Sequence, residues 1–221
     1  MTQIILHQQK GGSMSVYVMA FIKLKKPSWT PLGQEVVDLV HEHGGRYLVR
    51  DTAPRQIEGS GEPPDEVVIV EFPSVDKAEA YYNDPRYEPF RETRKAATDT
   101  TLVLVEGINE LRSAHPATNL QQRDGPKPVY AMVLIKRKSP SWTPLGQEVS
   151  NLVYEHGGRY LVRNTELRQI EGLGEPPDEA VIVEWPTIEK TEAHYNHPHY
   201  EPYREARKAA TDTTLILAQG I

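Results

Sequence analysis

The nine residues EHGGRYLVR stand at Glu42–Arg50 and return unchanged at Glu155–Arg163. The echo extends well beyond them. Residues 16–108 align with residues 129–221 without a gap, and roughly seven in ten positions are identical. A period of this length is far above the roughly 20–50 residues of a solenoid unit, so each copy is long enough to own a small core. The expected organisation is a leader at 1–15, a first copy at 16–108, a linker at 109–128 and a second copy at 129–221. The linker is polar, rich in Pro, Gln and Asn, and without an apolar period. As a coil it spans on the order of 25 Å, enough for two small domains to pack face to face.

Within one copy the pattern predicts β-α-β-β-α-β, the order of a ferredoxin-like α+β fold. VYVMAFIKL at Val16–Leu24 reads as a strand. Leu32, Val36, Leu39, Val40 and His43 recur at helical spacing, with Ser28 or Thr30 as the cap and Pro31 in the first turn. Gly44-Gly45 ends that helix, RYLVR follows as a strand, and RQIEG continues it past a kink at Pro54. VVIVEF is a third strand, Pro73-Ser74 opens a second helix that Pro85 interrupts, and TTLVLVEG is the last strand. Three of these strands are apolar almost continuously. A sheet with one wet face would alternate, so both faces are covered. Two helices cover one face and the second copy is expected to cover the other. Two four-stranded sheets packed sheet to sheet inside one chain form an internal pseudo-dimer, with further homo-oligomerisation left open.

VYVMAFI, HGGRYLVR, QIEG, VVIVEFPS, AEAYYNDPRYEPFRETR and LVLVEG, in that order, resemble the bacterial domain-of-unknown-function family 1330 of the dimeric α+β barrel superfamily. The resemblance covers each copy. It implies that the chain carries its own dimer partner, since family members are usually single domains that dimerise. Superfamily relatives include cofactor-free monooxygenases, polyketide cyclases, muconolactone isomerases and haem enzymes, so fold alone does not select a function.

Composition narrows the classes. Net charge is −6, which offers no basic footprint for nucleic acid and disfavours an anionic membrane surface. No apolar run approaches the roughly 20 residues that span a bilayer. Cysteine is absent, which removes thiolate nucleophiles and disulfides. The opening residues lack the apolar region of a signal peptide, and the cytoplasm is the expected compartment. No dinucleotide, phosphate-loop, zinc-protease or serine-hydrolase motif occurs, and no cofactor is expected.

Candidate site residues are therefore constellations. His43 and His156 end the first helix of each copy, where the helix dipole favours an imidazolium, and they are candidate acid/base groups or simple C-caps. Arg46 and Arg159 follow the double glycine. Strand alternation predicts Arg46, Leu48 and Arg50 on one face, where the arginines bind an anionic ligand or pair with Glu58 or Glu71. Tyr82, Tyr87, Arg91 and Arg94, with Tyr195, Tyr200, Arg204 and Arg207 in the second copy, suit the polar end of a small aromatic or acidic ligand. Tyr82 and Tyr195 join the histidines as candidate catalytic groups, and Tyr87, Arg94, Tyr200 and Arg207 as binding groups. The alternative is core packing for the tyrosines and pairing with Glu88 and Glu92 for the arginines. Trp29 and Trp142 stand in PSWTPLG loops, as lids or plugs. The copies differ where YYNDPRY becomes HYNHPHY. His194, His197 and His199 cluster there, but Pro198 divides them and no carboxylate spacing matches a metal site, so no metal is assigned. An anionic ligand is expected to prefer the second copy if these histidines stand protonated at its mouth.

These residues point to cofactor-independent proton-transfer chemistry, of isomerase, cyclase or lyase type, on a small partly apolar acid or ketone. The alternatives are a metabolite-binding or protein-interaction module without turnover, and a cofactor-free monooxygenase.

Overall fold

The computed structural model describes residues 14–25, 33–108, 126–139 and 146–221. The first copy runs β1 (Val16–Leu24), α1 (Gln34–Glu42), β2 (Arg46–Asp51), β3 (Arg55–Glu58), β4 (Glu66–Phe72), α2 (Val75–Tyr82), α3 (Glu88–Ala97) and β5 (Thr98–Glu106). The second repeats it as β6 (Val129–Arg137), α4 (Gln147–Glu155), β7 (Arg159–Asn164), β8 (Leu167–Glu171), β9 (Glu179–Trp185), α5 (Ile188–Tyr195), α6 (Glu201–Ala210) and β10 (Thr211–Gln219).

Local chemistry accounts for most of these boundaries. Ser74 Oγ accepts a hydrogen bond from Lys77 N, capping α2, and Thr187 does the same for Lys190 N in α5. Pro89 and Pro202 sit in the first turns of α3 and α6, where a missing N–H costs nothing. Gly44 ends α1 at φ 78°, and a Cβ on Gly45 would lie 2.6 Å from the Phe72 ring, so the double glycine lets helix and sheet close up. The predicted caps Ser28 and Thr30, with Pro31, lie outside the described residues.

The sheets differ from expectation in one respect. Each has five strands, in the orders β2-β4-β1-β5-β8 and β3-β10-β6-β9-β7. RQIE does not continue β2. It leaves its own copy as β3 and pairs antiparallel with β10 of the other, while β8 returns the exchange against β5. Ile108 N donates to Leu161 O and Ile221 N to Leu48 O, tying each copy's end to the other's second strand.

The sheets pack face to face. Their shared core includes Met19, Val49, Ile69, Met132, Val162, Ile182 and Ile216, all fully buried. Each such side chain contributes on the order of 1.5–3 kcal/mol. The opposite faces carry the helices: Phe72 and Val40 anchor the first, Trp185 and Val153 the second. Continuous apolar strands thus reflect sheets buried on both sides.

Candidate functional site

Along β9, Glu179, Val181, Val183 and Trp185 alternate with residues of the inter-sheet core and face the helices. Together with α4, α5 and α6 they enclose a cavity of about 320 Å³, within the range of small-molecule sites. Its wall is mainly aliphatic and aromatic, with Val133, Ile135, Leu215, Tyr160 and Tyr200. Arg55 and Ile57 also line it, and these belong to the exchanged strand β3. The second copy's cavity is therefore completed by the first copy.

Three groups stand out among its polar members. The first is locked. Arg207 donates to both oxygens of Glu58 at 2.6 and 2.8 Å, and Tyr195 Oη donates to Glu58 Oε1 at 2.5 Å. Burial pushes the Glu58 carboxyl up, but Arg207 and Tyr195 outweigh it and hold it below the usual carboxylate range. Burial and then Glu58 push the Tyr195 hydroxyl up, so it stays protonated. The same cluster recurs with Arg94, Tyr82 and Glu171.

The second group contains a carboxyl without such support. Glu179 is buried, and its pKa is raised because desolvation outweighs the pull of Arg163 and Arg137. Arg50 Nε stands 3.7 Å from Glu66 in the first copy, whereas Arg163 Nη1 donates instead to Ser150 Oγ at 2.7 Å. The first copy has Val37 where the second has Ser150. Arg163 also lies over the Tyr160 ring, whose hydroxyl burial pushes up to about 12.

The third group is aromatic. His194 packs on Trp185 and Tyr200, with ring centroids at 5.0 and 4.6 Å. Burial, then the neighbouring His156, lower its pKa to about 4. Trp185 Nε1 and His194 Nδ1 are both buried without a hydrogen-bond partner. The first copy carries Phe72 and Tyr81 at these positions, and Tyr81 packs on Phe72 and Tyr87 at 5.6 and 4.7 Å.

Several sequence expectations change here. The expected positive charge on His194 is absent near neutrality because the ring is buried. His197 is partly exposed and His199 exposed. His156 Nδ1 donates to Leu152 O within its own helix, and His43 Nε2 meets Asp84 Oδ2 at 3.0 Å. Both are helix C-caps, and His156 stands behind His194, outside the cavity wall. Arg46 and Arg50 do not share a face. A β-bulge between Tyr47 and Val49 breaks the alternation, so Leu48 and Val49 both enter the inter-sheet core. Arg46 pairs with Glu71 at 2.5 Å and Arg159 with Glu184 at 3.2 Å, away from the cavity, as the pairing alternative has it. Tyr87 is core, as is Tyr200, which also lines the cavity. Arg94 and Arg207 pair across the copies rather than with Glu88 and Glu92 or their second-copy equivalents. Trp29 and Trp142 lie outside the described residues. Glu179 and Trp185 went unread as site residues, although the alternation of EAVIVEW marks them on one face. Among the described residues, no cluster of three or more His, Cys, Asp or Glu is placed to hold a metal ion. Nor is any helix among them long and apolar enough to cross a membrane.

Paired sheets, outer helices and exchanged strands define the class: a dimeric α+β barrel whose two halves lie in one chain. The particular family follows from its model, described as Domain of unknown function (DUF1330), which matches residues 15–108 and 128–221. The chain belongs to that family. A search of curated proteins gives no match. Similar solved structures include a candidate chlorite dismutase, TA0507, at 12% identity over 94% of this chain and 95% of that chain, TM-score 0.51. An anthrone oxidase-like protein gives 13% identity over 95% and 92%, TM-score 0.48. A candidate monooxygenase from Fusobacterium nucleatum gives 12% over 94% and 93%, TM-score 0.49. At 12% identity the likeness to TA0507 is one of fold.

Proposed function

We propose that this chain binds a small, largely apolar molecule in the second-copy cavity and transfers a proton on it, as an isomerase, cyclase or lyase does. The observation that carries this reading is Glu179, a buried carboxyl with a raised pKa in the wall of a mainly aliphatic and aromatic cavity. Desolvation makes its carboxylate a stronger base, suited to take a proton from carbon beside a carbonyl. The C–H electron pair then forms the enolate double bond and the carbonyl electrons move to oxygen. Arg163, in the same wall, offsets that charge, and Glu179 returns the proton elsewhere on the molecule. Tyr195 and Arg207 shape the site while held by Glu58, and no cofactor enters the scheme.

The test is deuterium exchange at the α-carbons of cyclohexanone in D₂O, followed by proton NMR. The full chain should accelerate exchange over buffer, and Glu179→Gln should abolish the acceleration. No acceleration by the parent chain would leave binding without turnover, the reading favoured by the locking of Tyr195 and Arg207 onto Glu58.

A further inference from the structure

Three arginines line the second-copy cavity, Arg55, Arg163 and Arg207. Arg55 pairs with Glu192, and Arg207 with both oxygens of Glu58. Arg163 forms no ion pair among the described residues. Its Nη1 donates to Ser150 Oγ at 2.7 Å, and its guanidinium carbon stands 5.5 Å from the centre of the Tyr160 ring. It acts on Glu179 through space, without a hydrogen bond.

Nε and Nη2 of Arg163 make no hydrogen bond among the described residues. Nor are they sealed in, as Arg137 Nε is. Arg163 is half-buried, and none of its nitrogens is both buried and unpaired. A solvent-sized group can therefore reach them. Arg163 and Tyr160 belong to the cavity wall and Ser150 does not. Nη1 is thus turned away from the cavity, and the opposite Nε–Nη2 edge is the one left for a ligand.

Two parallel N–H groups on a planar cation match the two oxygens of a carboxylate. A ketone or amide oxygen uses one of them and brings no charge. The rest of the wall, with Val133, Val181, Leu215 and Trp185, suits an apolar body. In the first copy the equivalent arginine is spent. Arg50 Nε stands 3.7 Å from Glu66, and Val37 replaces the serine that holds Arg163 aside.

We propose that the second-copy cavity takes small monocarboxylic acids with an apolar body, the carboxylate held on the Nε–Nη2 edge of Arg163, which Ser150 positions. This rests on the reading of that cavity as the ligand site. Glu179 is the opposing charge. It is buried in the same wall, so a ligand carboxylate competes with it for one cation.

The experiment titrates benzoate, benzamide and toluene into the full chain, followed by ligand-observed proton NMR. Benzoate should bind more tightly than either neutral probe. Arg163→Met should weaken benzoate at least about tenfold and leave toluene within about twofold. Ser150→Val, a change to the residue of the first copy, lets Arg163 approach Glu179 and should weaken benzoate about threefold. Glu179→Gln removes the competing charge and should tighten benzoate. Toluene or benzamide bound as tightly as benzoate would overturn the carboxylate anchor while leaving the cavity as a ligand site. So would benzoate no more affected than toluene in Arg163→Met or, should that variant not fold, in Ser150→Val. Weaker benzoate binding in Glu179→Gln would do the same. Failure of all three probes to bind would overturn both the anchor and the site.

Discussion

Glu58, on the strand that the first copy lends to the second, accepts two hydrogen bonds from the guanidinium of Arg207 in the second copy. Arg94 and Glu171 make the reciprocal pair. All four side chains are less than a tenth exposed. The duplication therefore binds itself together through buried charge as well as through the inter-sheet core.

Glu58→Ala and Glu171→Ala should each cost about 3–5 kcal/mol, because each leaves a buried arginine without its counter-charge. Urea denaturation of the full chain measures this. Losses below about 1 kcal/mol would mean that the arginines find water or another partner.

Stability should respond to pH with two opposite signs. Glu58 and Glu171 have lowered folded pKa values, burial being outweighed by their arginines. Their contribution is complete above the unfolded carboxylate value of about 4.3 and is lost as pH falls through the folded pKa. Glu179 is raised, so the fold binds its proton more tightly than the unfolded chain does. Its penalty appears as pH climbs from about 4.3 through the raised value. Glu179→Gln should accordingly stabilise the chain at pH 7 relative to pH 4.5, as read from urea midpoints at both values. An unchanged difference between the two pH values would place the Glu179 carboxyl in a better solvated setting.

Ser150→Val should lower the pKa of Glu179. Without the Ser150 hydroxyl, Arg163 is free to adopt the approach that Arg50 makes to Glu66. Carboxyl ¹³C shifts across a pH titration would report the change. A carboxyl that titrates as in the parent would show that Ser150 does not set the position of Arg163.

Much of the fold was legible because repetition and continuous apolar strands leave few alternatives. The order of elements, the Gly44-Gly45 stop, the Ser74 cap and the facing sheets all follow from local rules. The exchanged strand was not legible. RQIE is four residues long, and its partner lies in the other copy's last strand, which no local pattern announces. The face of Arg50 was misread for a related reason: one bulge inverts every later side chain in β2. Of the candidate site, Tyr195, Tyr200 and Arg207 reach the cavity wall, but the histidine caps do not. Glu179 was hidden because a lone carboxylate at a strand start looks solvated until helices are seen to cover it.

Cutting the chain between Ser113 and Gly125 should leave the two fragments together. The exchanged strands and the shared core hold them without the linker. Size exclusion under native conditions checks this, and two separate peaks would contradict it.

The central claim is that the second copy holds a ligand cavity that the first copy helps to build. Crystals of the full chain pressurised with xenon test it most directly, since an apolar cavity of this volume admits the gas. Xenon should appear among Val133, Val181 and Trp185 of the parent and vanish from crystals of His194→Tyr, which brings in the tyrosine of the first copy. Xenon absent from that site in the parent, or retained there in His194→Tyr, would contradict it.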